Sequence, residues 1–174
     1  MNQRGPMEVA ATRALLLGLG NVLLSDDGIG VHVVRALDAA PRRADSGVAV
    51  AVCDGGTLGL ELLNQLDEHI DALIVVDATE FGAAPGTVQV FPGRAMDDQV
   101  GGRRRSVHEV ALADLLVAAS LTGRAPARRA LVGIQPASTE WGLAPTEPVH
   151  AAIPVACRAV EALLLDWSTH HADR

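Results

Sequence analysis

Apolar positions along the chain fall into two kinds of run that take turns. Short continuous runs read as buried strands: ALLLGLG (14–20), SGVAVAVCDGGT (46–57, ending at Asp54), DALIVVDAT (71–79, ending at Asp77) and RRALVGIQP (128–136). GTVQVF (86–91) is a fourth strand in chain order, more polar and so placed nearer an edge. Between them lie stretches with helical spacing. DGIGVHVVRALDAA sets Ile29, Val33, Val34 and Leu37 on one face, and a short helix is expected around Leu58 to Leu66. SVHEVALADLLVAASLTG (106–123) is the clearest helix, with Ser106 and Glu109 spaced as a capping box that puts His108 in the first turn. VHAAIPVACRAVEALLLDW closes the chain, with Pro154 near its first turns. The segment between the fourth strand and the 106–123 helix reads as a glycine- and arginine-rich loop. Strands alternating with helices predict an α/β three-layer sandwich: a mostly parallel, twisted five-stranded sheet with helices on both faces.

With 174 residues, one domain accounts for the whole chain, with a core from about 14 to 166 and loose ends at 1–12 and 168–174. Aromatics are only 2% of residues, so Ala, Val and Leu must fill the interior. The formal net charge of −7 argues against a nucleic-acid or anionic-membrane partner, and the run Arg103 to Arg105 reads as a solvated loop. The chain contains no lysine and no tyrosine, which removes Schiff-base, phosphate-loop and tyrosine-acid chemistry. Cys53 and Cys157 sit apart in apolar runs as core thiols, a usage that suits a reducing cytoplasm. No signal-like segment or uninterrupted apolar run of membrane-spanning length is expected.

The block LGLGNVLLSDDGIG (17–30) has the shape of a nucleotide loop and the wrong charge for one. Glycines turn a strand into a helix, but two carboxylates follow where a phosphate would sit, and the third fingerprint glycine is missing. Ligand sites in such sheets lie beyond the carboxyl ends of the strands. Three acidic positions occur there: Asp26/Asp27, Asp54 and Asp77. One of the adjacent pair, or Ser25, would cap the helix, leaving an aspartate to face the cleft. His108, near a helix N-terminus that disfavours imidazolium, adds a neutral nitrogen donor. Two carboxylates and an imidazole suit a first-row divalent ion such as nickel or zinc. Asp27 and His108 are both expected on an exposed rim. Neither a nucleophile elbow nor an HExxH pair is present. Receiver domains place acids similarly but need a lysine after the last strand, and here that strand ends GIQPAS.

GLGNVLLSDDGIGVHVVRAL, DGGTLGLELL, LIVVDAT, SVHEVALADLL and LVGIQP resemble, in order and spacing from about Ala14 to Leu165, the successive blocks of the nickel–iron hydrogenase maturation endopeptidases. The resemblance implies an enzyme that removes a C-terminal extension from the hydrogenase large-subunit precursor once nickel is inserted. It implies metal contact by Asp27, Asp77 and His108, and a role at the site for Asp54. The cation is then nickel carried by the precursor, with no permanently bound cofactor and no nucleic-acid or membrane partner. Some members have Glu at the first position, where this chain has the shorter Asp27, and Val107 replaces a proline common before the histidine. Attack by a carboxylate-activated water and attack on a metal-polarised carbonyl both remain open. The alternative is a non-catalytic nickel sensor or chaperone using the same ligands.

Overall fold

A computed structural model describes residues 12–40, 48–67, 69–102 and 107–169, with the side chains of 107–110 and 169 outside that description. Five strands form one sheet: β1 (Thr12–Leu19), β2 (Val48–Gly56), β3 (Ala72–Ala78), β4 (Val88–Pro92) and β5 (Arg128–Ile134). Their order is β2-β1-β3-β5-β4. All pairs are parallel except β4 with β5, so the polar strand lies at an antiparallel edge, as its composition suggested. Four helices accompany them: α1 (Ile29–Ala39), α2 (Arg94–Val100), α3 (Val107–Leu121) and α4 (Glu147–Thr169). Short 3-10 helices cover Ser25–Gly28 and Leu60–Gln65; the second stands where a short helix was expected.

Pleat alternation divides the core in two. Leu16, Ile74, Val76 and Val132 meet Ile29, Val33 and Val34 of α1 and Val149, Ala152, Ala156 and Val160 of α4. On the other face, Leu15, Leu17, Leu73, Val75 and Leu131 meet Leu62 and Leu66, Met96 of α2, and Leu112 and Leu115 of α3. Helices thus cover both faces, and the three-layer expectation holds. Helix α4 has the length and apolar composition of a membrane-crossing helix, but it lays one stripe on the sheet.

Three sequence expectations need correction. The segment after β4 is not all loop, because Met96 and Val100, four residues apart, bury into the core and hold α2. At the ends, Thr12 is already a buried residue of β1, and α4 continues to Thr169. The Ser106–Glu109 capping box, the arginine run and the remaining terminal residues lie outside the described residues.

Candidate functional site

Strand order reverses between β1 and β3: after β1 the chain moves outward to β2, and after β3 it moves the other way. A crevice forms between such strands at their carboxyl ends. Asp27 follows β1 and Asp77 is the sixth of seven residues of β3, so the two acids flank that reversal.

Glycines determine how closely the first loop can approach. Gly20 has φ of +120°, and a Cβ there would come within 1.8 Å of the Asp27 carbonyl oxygen. A Cβ on Gly30 would meet the Val76 carbonyl oxygen at 2.1 Å, so the first turn of α1 rests directly on β1 and β3. The loop then braces itself: Asn21 donates its backbone N–H to Asp27 Oδ2 (2.8 Å), and Asn21 Oδ1 accepts from Leu23 N–H (3.0 Å). Asp27 is therefore buried, with 6% of its surface exposed, and Asp77 is 1% exposed. The exposed rim expected for Asp27 is not observed, because close helix–sheet packing encloses it.

Neither aspartate of the pair caps a helix by its side chain, and Ser25 does not either. Asp26, fully buried, instead clamps the loop that follows β5. Its carboxylate accepts from Ala137 N–H (2.8 Å), Ser138 N–H (3.0 Å), Thr146 N–H (2.6 Å) and the Thr146 hydroxyl (2.9 Å). Ser25 donates its hydroxyl to the Glu140 carbonyl at 3.0 Å. A cap satisfies local first-turn amides, whereas these donors lie more than a hundred residues away. That distance is why local sequence patterns could not show the clamp.

Gln135 performs a second bracing that sequence reading missed. Its Oε1 accepts the backbone N–H groups of Phe81, Gly82 and Ala83 at 3.0, 3.0 and 3.2 Å. Its Nε2 donates to Glu80 Oε2 at 2.8 Å. The available signal was a lone amide ending the apolar run ALVGI before Pro136. The loops after β1 and β3 are both anchored on the segment that begins at Gln135.

Side-chain faces separate the predicted acids. Asp77 alternates with Val76 and so shares the face of Leu73 and Val75, the side covered by α2 and α3. Asp54 shares the face of Val50 and Val52, where Arg35 of α1 holds it through Nε (3.0 Å) and Nη2 (2.7 Å). Asp54 and Asp77 stand near the carboxyl ends of their strands and Asp27 in the turn that follows β1, but Asp54 is turned to the opposite face from Asp77. His108 stands in the first turn of α3. Helix α3 returns through a short loop to the amino end of β5, so its first turn lies at the carboxyl ends of the parallel strands. Close approach of Gly59, beyond β2, to Ala111 agrees. Position 108 is in helical register with Leu112, Leu115 and Ala119, the buried stripe of α3. A groove of about 380 Å³ between α2 and α3, lined by Val100, Leu116 and Pro126 among others, borders the entry to β5 and not the carboxyl-end crevice.

Comparison with known proteins is consistent across sequence and structure. The model of the hydrogenase maturation protease family matches residues 31–163. The chain is 39% identical over 158 residues to the hydrogenase expression/formation protein HupD of Rhizobium leguminosarum bv. viciae, covering 90% of this chain and 76% of the relative. It is 38% identical over 156 residues to the hydrogenase 2 maturation protease of Escherichia coli K12, covering 87% and 90%. Its fold superposes on the hydrogenase maturating endopeptidase HybD from E. coli with a TM-score of 0.81 and 37% identity, over 89% of this chain and 93% of that one. These matches decide between a processing enzyme and a non-catalytic nickel sensor: the chain belongs to the hydrogenase maturation protease family and is an endopeptidase.

Proposed function

We propose that this endopeptidase removes the C-terminal extension of a nickel–iron hydrogenase large-subunit precursor, and that it reads the nickel the precursor carries through Asp27, Asp77 and His108. The observation that carries the reading is the pair of buried acids at the reversal between β1 and β3, with the first turn of α3 at the same end. Two oxygen donors and one imidazole leave coordination positions for the precursor's own ligands, as recognition of a metal already held by the substrate requires. Burial makes negative charge costly, and a divalent ion arriving with the substrate offsets that cost. Nickel-free precursor lacks this stabilisation and so binds poorly, which turns a cation site into a check on loading. In this account enzyme and precursor meet in the cytoplasm.

Asp54 takes a different part. Its ion pair with Arg35 fixes the end of β2 against α1 on the far face of the sheet, so we assign it positioning and not metal contact. A time course of precursor cleavage on a denaturing gel tests the set. Asp27→Ala, Asp77→Ala and His108→Ala are each expected to lose at least a hundredfold in rate, and Asp54→Ala about tenfold or less. Asp27→Glu keeps activity. Full activity in His108→Ala would remove the histidine from the site.

A further inference from the structure

Nine large apolar side chains are exposed among the described residues, and five of them follow the carboxyl ends of β1, β2 and β5: Leu23, Leu58, Leu60, Trp141 and Leu143. Trp141 and Leu143 are 81% and 80% exposed. The chain has only two tryptophans and two phenylalanines; Trp167 and Phe91 are buried, and Phe81 packs edge-on against Phe91. An indole left in water is out of character for this molecule.

It is also held with unusual care. Leu24 and Gly142 form a β-bridge between the loops, with Ser25 N–H bonded to Gly142 O (2.9 Å) and Gly142 N–H to Leu23 O (3.0 Å). A side chain on Gly142 would strike the Ser25 hydroxyl. The Asp26 clamp fastens the same loop at 137, 138 and 146, on both sides of Trp141. Tryptophan is among the residue types enriched at interface hot spots, and a loop already held in place loses little freedom on binding.

We infer that Leu23, Trp141 and Leu143 form a docking edge for the folded body of the protein substrate, beside the crevice that receives its scissile segment. This rests on the processing role proposed above. The edge is continuous with the site, since Ser25, which bonds to Gly142, is two residues from Asp27. Charge selects the occupant. Residues 136–148 contain Glu140 and Glu147 and no basic residue, in a chain of net charge −7, so an anionic membrane is repelled. A protein face with an apolar hollow and a neutral or basic rim fits.

Steady-state cleavage of the nickel-loaded precursor tests this with wild type, a Trp141→Ala/Leu143→Ala double variant, Leu23→Ala, and Leu165→Ala as an exposed control on α4. The double variant should raise KM about tenfold with kcat and melting temperature unchanged. Leu23→Ala should shift KM in the same direction, and Leu165→Ala should match wild type. Wild-type KM in both edge variants would overturn the docking edge while leaving the processing role intact. Failure of the wild type to cut any precursor would instead overturn the processing role and the edge with it. Two further results would contradict the inference: a wild-type dimer in sedimentation that the double variant dissolves, or wild-type binding to phosphatidylglycerol vesicles that the double variant loses.

Discussion

Asp26 and Asp27 are neighbours in sequence and do unlike work. Asp26 spends its carboxylate on four donors of the distant 137–146 loop, while Asp27 holds Asn21 and borders the crevice. Removing the buried Asp26 side chain leaves three backbone N–H groups and a hydroxyl without their acceptor in a partly buried place. Asp26→Ala should therefore cost about 3 kcal/mol of stability, more than a lost helix cap would. Urea unfolding monitored by circular dichroism measures it; a loss below about 1 kcal/mol would mean the clamp is replaced by water. The sequence marked one acid of the doublet as structural, but as a helix cap and not as the clamp that Asp26 forms. The identity of the structural partner was not, because a carboxylate's long-range donors leave no local pattern. Asp54 shows the same limit: its strand-end position could be read from GVAVAVCDGG, but the face it turns to depends on strand register and on Arg35.

At the scale of elements, apolar periodicity gave β1, β3, β5, α1, α3 and α4 because each buries a continuous run or stripe. It failed for α2, whose two anchoring residues, Met96 and Val100, are too few to stand out beside the glycines that flank the helix. The α1–α4 contact region carries a testable pH dependence. His32 Nε2, on α1, is buried and makes no hydrogen bond among the described residues. Burial, then the charges of Arg35 and His150, hold its pKa below the ordinary imidazole value. The folded state thus prefers neutral His32, and the unfolded chain binds the proton more readily. Stability from this group is complete above the unfolded value of about 6.5 and is lost as pH falls through the lower folded value. Chemical denaturation between pH 7.5 and 5 should show wild type weakening more than His32→Gln. Parallel curves would refute the assignment.

For the molecule as a whole, the sheet order places the β1 and β3 loops beside one another and the β5 segment beneath both, through Asp26 and Gln135. Sequence alternation predicted the layers, and the D-D-G and V-D-A blocks placed Asp27 and Asp77 beyond or at the carboxyl ends of β1 and β3, where the structure has them. Distances within the crevice were beyond its reach, since residues 27, 77 and 108 stand on three separate elements that only topology relates. The central claim is that this crevice reads a cation delivered by the substrate. The direct measurement is cleavage of the same large-subunit precursor, nickel-loaded and nickel-free, by the wild-type protein under identical conditions. The account predicts cleavage of the loaded precursor alone, with no gain when Asp27→Ala replaces wild type. Equal cleavage of loaded and nickel-free precursor would contradict it.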